Sequence, residues 1–162
     1  MKKPSKSAFT LLELIMVIVI IGVLAAVAIP KFKNLGSHSK VASELATAST
    51  IQSAIDDVHS EWIMSEGSLS WGNGKNQNDL TAQGYPKQLG DCPPAFNWIL
   101  KSSSTIDAKW TCSAAGTLYT FRGPASQTTS GVKENGSGKP DSNDCWQYDA
   151  AKGTFSLNEG CI

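Results

Sequence analysis

From Phe9 to Lys31 the chain reads FTLLELIMVIVIIGVLAAVAIPK, and no other stretch restricts the fold as strongly. Between Leu14 and Ile29 there is no charged or strongly polar side chain. Counted from Phe9 to Ile29, the apolar run covers 21 residues. As a helix rising about 1.5 Å per residue, it spans a hydrocarbon layer roughly 30 Å thick. Such a segment is either a membrane helix or a helix buried on every side. It carries one acid, Glu13, near its start, where an ionisable group facing lipid is costly and marks function by default. Ahead of it stand eight residues, MKKPSKSA, with three lysines and small residues at their end. A secretory signal would have a shorter apolar stretch and a small-residue cut after it. Here the run continues past any such site and is followed by Lys31 and Lys33. An ordinary single-pass anchor accounts for the hydrophobicity and the lysines, but not for an acid four residues after Phe9.

The combination of a Lys-rich leader, Ala8-Phe9-Thr10-Leu11-Leu12-Glu13-Leu14 and an unbroken apolar helix resembles the class III signal of type IV pilins and type II secretion pseudopilins. The resemblance implies that a prepilin peptidase cuts between Ala8 and Phe9 and that Phe9 is then N-methylated. The residue before the cut is usually Gly in that family, and here it is Ala8. The family's glutamate at the fifth position after the cut falls on Glu13, and its late helix-breaking proline on Pro30. By the same resemblance, Glu13 pairs with the methylated Phe9 amine of a neighbouring subunit, and Gly22 and Pro30 bracket a segment that loses helical order in assembled filaments. Glycine weakens a helix and proline removes one of its hydrogen bonds, so the residues permit this.

Removal of residues 1–8 leaves 154, enough for one long helix and one small globular domain. The whole chain has 14 basic and 14 acidic residues; without the three leader lysines it has 11 and 14, a net of −3. That balance offers no overall basic face for nucleic acid. Cys92, Cys112, Cys145 and Cys161 all lie in the C-terminal half, at spacings of 20, 33 and 16, with no Cys-x-x-Cys. An even count in a domain carried across a membrane reads as disulfides rather than a zinc site. Three connectivities are possible. Sequential pairing, Cys92–Cys112 and Cys145–Cys161, closes the shortest loops and is the expectation.

After Pro30 a helical period begins. Val41, Leu45, Ala48, Ile51, Ile55, Val58 and Trp62 form one apolar stripe, with Glu44, Gln52, Asp56 and Glu61 off it. Pro30 and Asn34–Ser37 are expected to bend one continuous helix rather than end it; two helices hinged at Asn34–Ser37 are the alternative. From Glu66 to Gly90 the Gly-, Asn- and Ser-rich composition predicts a loop, pinned by Leu69, Trp71, Leu80 and Tyr85. Asp91-Cys92-Pro93-Pro94 predicts a cap opening a short helix from Ala95 to Lys101. Two hairpins follow, Lys109–Cys112 with Thr117–Arg122, and Cys145–Asp149 with Thr154–Leu157. Trp110, Phe121, Trp146, Tyr148 and Phe155 are candidates to face the helix, and the polar Pro124–Asp144 segment must lie on the surface. The expectation is an α+β, pilin-like architecture. Residues 1–8 form the leader, 9–30 the membrane and filament-core helix, 31–64 its amphipathic half, and 65–162 the globular region with a four-stranded antiparallel sheet.

Catalytic constellations are missing from the sequence. His38 and His59 form no His-Glu-x-x-His pair and read as helix-surface residues, and Pro140 breaks the phosphate-loop pattern after Gly136-Ser137-Gly138-Lys139. Asn135-Gly136-Ser137 fits a glycosylation sequon but reads as a turn. Asp141, Asn143 and Asp144 form an oxygen-rich turn. It resembles the calcium-holding C-terminal loop of major pseudopilins but lacks the EF-hand spacing. No other cofactor is expected. The functional expectation is therefore a type IV pilin, not an enzyme, that sits in the bacterial inner membrane and then in a periplasmic or extracellular filament. Its implied partners are copies of itself and minor pilins, the prepilin peptidase, an assembly platform and an ATPase. The alternatives are a secretion pseudopilin, or, from another class, a membrane-stalked adhesin binding through Trp71 or the 124–144 loop. The adhesin would need a large exposed aromatic patch.

Overall fold

The computed structural model describes residues 9–32, 35–66, 68–72, 74–101, 109–115, 118–127, 136 and 138–161. The chain divides into two compact units, Met1–Gly36 and Ser37–Ile162. The first contains helix α1 (Leu11–Phe32), with Pro30 inside it and no buried residue anywhere along it. Its many β-branched side chains are poor helix formers in water. In an apolar surrounding, however, only a helix satisfies the backbone within a single segment. Helix α2 (Leu35–Met64) follows. Part of the expected bend, at Asn34, lies outside the described residues.

The second unit holds a four-stranded antiparallel sheet packed on α2, its strands side by side in chain order. Its strands are β3 (Thr111–Ala115), β4 (Leu118–Arg122), β5 (Cys145–Asp149) and β6 (Thr154–Asn158). Consecutive strands pair throughout, with Cys112 opposite Phe121, Phe121 opposite Trp146, and Tyr148 opposite Phe155. All five aromatic candidates are buried, in one cluster with Ala48, Ile51 and Ile55 of α2. Phe96 is fully buried among them, stacked on Phe121 at 5.1 Å and edge-on to Trp110 at 5.3 Å.

Four local expectations change. Strand β3 runs from Thr111 to Ala115, not from Lys109 to Cys112, because Ser113–Ala115 keep pairing with Thr120–Leu118. The expected loop of residues 66–90 holds a small hairpin, β1 (Ser70–Trp71) with β2 (Lys75–Asn76), and a 3-10 turn over Gln77–Asp79. Buried Trp71 and Leu80 pin it beside Val58 and Trp98. No helix forms over Ala95–Lys101. The Asp91 carboxylate instead accepts bonds from Asn97 Nδ2 (2.6 Å) and Trp98 Nε1 (2.8 Å), and the Trp98 N–H donates to Leu89 O at 3.2 Å. These contacts hold the segment in turns. Finally, His59 is not a surface residue of the ordinary kind. It stacks on Tyr85 at 4.1 Å, and its buried Nδ1 has no hydrogen-bond partner among the described residues.

The largest departure is on α2 itself: Val41, Ala48, Ile51, Ile55 and Val58 of the expected stripe are buried, but at one turn Glu44 replaces Leu45 on the buried face. Leu45 is 36% exposed, whereas Glu44 is fully buried. Its Oε2 accepts from the N–H groups of Ala125 (2.6 Å) and Ser126 (3.0 Å), and its Oε1 from Ser126 Oγ (2.6 Å) and Trp146 Nε1 (2.7 Å). Four donors satisfy a buried carboxylate that would otherwise be strongly destabilising. Gly123 makes room for it, since a Cβ there would stand 2.5 Å from Glu44 Cδ. Gln52, also predicted off the stripe, ties α2 to β6 by donating to Gly153 O and accepting from the Phe155 N–H.

Two outcomes follow from these contacts. Glu44→Gln, although isosteric, turns an NH2 group towards donors. It should cost nearly as much as Glu44→Ala, on the order of 3 kcal/mol in denaturant unfolding. Unchanged stability of the Gln variant would contradict the assignment. The bonds from Asn97 and Trp98 hold the Asp91 carboxyl below the usual carboxylate range, with Lys75 adding to them and burial opposing. A lowered folded value contributes stability above the unfolded value that is lost as pH falls through the folded one. Acid titration should therefore release the Trp98 contact below about pH 4, read as a change in Trp fluorescence that Asp91→Asn shifts or abolishes.

Candidate functional site: the N-terminal segment and the bridged C-terminal region

Along α1 the exposed side chains are almost all large and apolar, from Phe9 (84% exposed) and Leu11 to Ile29 and Phe32. Each such side chain left in water forgoes about 1.5–3 kcal/mol. Summed over the helix this comes to tens of kcal/mol, well beyond the roughly 5–15 kcal/mol stability of a domain. The helix is long and apolar enough to cross a membrane.

At its start stands a local arrangement that the sequence reading missed. Thr10 Oγ1 accepts the Glu13 N–H at 3.2 Å, and Glu13 Oε2 accepts from the Thr10 N–H and hydroxyl, both at 3.3 Å. This is a capping box, and the signal for it was present as Thr10-x-x-Glu13 ahead of an apolar run. Glu13 Oε1 takes no bond among the described residues, so one carboxylate oxygen remains available at the mouth of the helix. Gly22 has open space around it, and nothing touches the position where its Cβ would be. Pro30 lies two residues before the end of α1. Phe9 is the first described residue. Ala8, the other side of the expected cut, lies outside the described residues, as does Asn135 of the sequon.

The cysteines pair as Cys92–Cys112 and Cys145–Cys161, with Cα separations of 5.7 and 5.6 Å, within the ordinary reach of a disulfide. The first fixes the 91–98 turns to β3. The second fixes the C-terminus to β5, where Arg122 also donates to the carbonyls of Ser126, Ser142 and Cys161.

Asp141 and Asp144 are buried beside this bridge rather than solvated. Asp141 Oδ1 accepts from the Asn143 N–H, Asp144 Oδ2 from the Asp141 N–H, and Asp144 Oδ1 from the Gly160 N–H. Three of the four carboxylate oxygens are thus engaged by backbone. Calcium takes six to eight oxygens, and among the described residues no group of three or more acidic, His or Cys side chains could hold a metal ion. These backbone bonds close the turn. Two further shifts have local causes. Burial, with Tyr85 and Asp149 nearby, pushes the Tyr148 hydroxyl well above its usual value, and the hydroxyl donates to Pro86 O. The Ala151 N–H bond, helped by Lys152 and opposed by burial, lowers Asp149.

Comparison with known proteins agrees with this geometry. Residues 3–29 match the family described as the prokaryotic N-terminal methylation motif. A type IV major fimbrial protein, FimA of Dichelobacter nodosus, is 31% identical over 129 residues, covering 72% of this chain and 78% of that protein. A probable minor fimbrial protein of the same organism is 37% identical over 76 residues, 47% of this chain and 45% of its own length. The type IV narrow pilus major component PilA5 of Thermus thermophilus is 50% identical over 46 residues, 28% of this chain and 40% of that one. No solved structure matches. The chain belongs to the type IV pilins, as a structural subunit with the α+β fold of that family. Trp71, which an adhesin reading would expose, is 5% exposed, and the exposed large aromatics among the described residues are Phe9 and Phe32.

Non-reducing peptide mapping should recover Cys92–Cys112 and Cys145–Cys161 and no free thiol. Replacing Cys145 and Cys161 together by Ser should lower unfolding stability by about 3 kcal/mol. A Cys112–Cys145 peptide would contradict the arrangement described.

Proposed function

We propose that this chain is made as a membrane-inserted prepilin, cut between Ala8 and Phe9 by a prepilin peptidase, N-methylated on Phe9 and polymerised into a type IV filament through α1. The observation that carries this reading is an apolar helix with no buried residue, joined to a unit that buries its own core without it. Lipid covers α1 before assembly, in the bacterial inner membrane, and the α1 helices of other copies cover it in the extracellular filament. Apolar packing alone does not choose a register, because neighbouring turns of α1 offer similar surfaces. Glu13 supplies the direction. In a medium of low dielectric, its carboxylate and the Phe9 ammonium of an adjacent copy attract strongly, and the unpaired alternative is costly for both.

Thr10 holds the Glu13 carboxylate at the helix mouth through Oε2, which leaves Oε1 to face the incoming amine. Gly22 and Pro30 are the points at which α1 yields as the subunits close together. The chain's role is structural and not catalytic. The peptidase, an inner-membrane platform, an ATPase and minor pilins are the partners this route requires. A secretion pseudopilin would share the route, but the relatives reported above are fimbrial and pilus proteins.

Mass spectrometry of sheared filaments tests the proposal. The expected subunit begins at N-methylated Phe9 and lacks residues 1–8. A subunit that begins at Met1, or is cut after Ala28, would overturn it.

A further inference from the structure

Charge is sorted by position along α2 and the residues that lead into it. Lys31 and Lys33 stand just ahead of it, whereas residues 41–66 carry Glu44, Asp56, Asp57, Glu61 and Glu66 with no Lys or Arg. Glu44 is sealed in the interior by its four donors, and Asp56 accepts from Gln52 Nε2. Asp57 and Glu61 are exposed and one helical turn apart, and neither takes an ion pair or hydrogen bond among the described residues.

Both line a cleft of about 420 Å³ in the folded unit, with Ser70, Trp71, Trp98 and Lys101 also in its wall. Lys101 sets one ammonium against two carboxylates, and residues 102–108 beyond it hold no basic side chain, so the cleft is net negative. Trp71 is buried, and its indole Nε1 has no hydrogen-bond partner among the described residues. A buried donor left unpaired is costly, and an acceptor brought by a guest would relieve it. A cation and a carbonyl together are what a basic peptide segment offers.

The chain carries such a segment. Lys31 is exposed in the last turn of α1 and makes no ion pair among the described residues, and Phe32 is exposed beside it. Pro30 has no N–H, so the Ala26 carbonyl loses its usual helical donor. A subunit cannot place this segment in its own cleft. Leu35 and Asp57 lie 22 positions apart on α2, about 33 Å along a helix. The four residues from Lys31 to Leu35 bridge at most about 14 Å, and the remaining gap exceeds the reach of a lysine. Ile63 and Met64, exposed just beyond Glu61, offer Phe32 an apolar neighbour on another copy. A contact between unlike surfaces of two copies leaves each copy able to bind the next, which is how an open filament grows.

We infer that the cleft at Asp57 and Glu61 receives residues 31–33 of a second copy, so that the basic end of one subunit docks on the acidic end of the next. The inference rests on the filament assembly proposed above and adds a contact of the folded unit to the packing of α1.

Sheared filaments treated with a water-soluble carbodiimide test it, since the reagent joins a carboxylate to an amine only where the two touch. The expected product is a covalent dimer whose digest links Lys31 or Lys33 to Asp57 or Glu61. The Asp57→Asn/Glu61→Gln variant should lose that dimer and give roughly ten-fold fewer filaments, while keeping both disulfides and its melting temperature. Asp57→Lys/Glu61→Lys should assemble no better, and Lys31→Glu/Lys33→Glu added to it should restore filaments by exchanging the charges. Filaments that lack the linkage, or wild-type filament yield from the Asn/Gln variant, would overturn the inference and leave the assembly reading standing. Cells that make no sheared filaments at all would overturn both.

Discussion

The constraint on which everything else depends is that α1 cannot remain in water. None of its 22 residues is buried within the chain, and the tens of kcal/mol involved exceed what any single domain can absorb. The molecule must therefore always borrow a cover, first hydrocarbon and then copies of itself. The second unit is built so that it need not contribute to that cover. Its core closes on α2 and the sheet, and both disulfides lie within it. A small domain with few reserves gains about 3 kcal/mol from each such bridge. It can thus stay folded as its attached helix passes from one apolar surrounding to another.

Two glutamates show how one side chain is placed for opposite ends. Glu44 is withdrawn from solvent, and all its bonding capacity is used by Ala125, Ser126 and Trp146. It has nothing left to offer a partner, and its task is to fix where the chain leaves β4. Glu13 is exposed and only half engaged. Thr10 holds one oxygen, and the other waits at the end of a helix that has no other charged group before Lys31. A saturated carboxylate stabilises a fold; a half-saturated one in an apolar surrounding can direct an assembly.

Much of this was legible in the sequence because the signals were local or periodic. The apolar run with Glu13 pointed to the N-terminal signal and the anchor, and two pairs of strand-like runs flanking turn residues located the four-stranded sheet. Cysteine spacing favoured the pairing that is found. What escaped was decided by long-range partners. Glu44 reads as a solvent-facing residue until Ala125 and Trp146, more than eighty positions away, arrive to satisfy it. The helix expected over Ala95–Lys101 lost to side-chain bonds from Asp91 that no propensity encodes. Asp141 and Asp144 read as a solvated turn, because nothing in the local sequence announces their burial or the Gly160 N–H that reaches Asp144 from sixteen positions away. The capping box at Thr10 was readable in advance but was hidden by attention to Glu13 alone.

The most direct measurement of the central claim is the yield of sheared filaments from Glu13→Ala and Glu13→Gln cells, immunoblotted beside the membrane fraction. If Glu13 sets register by pairing with a neighbour's Phe9 amine, the Ala variant should be made, inserted and processed normally yet give few or no filaments. The Gln variant, keeping a hydrogen bond without the charge, should fall between it and the wild type. Normal filament yield from Glu13→Ala would contradict the account and leave Glu13 as nothing more than the cap of its own helix.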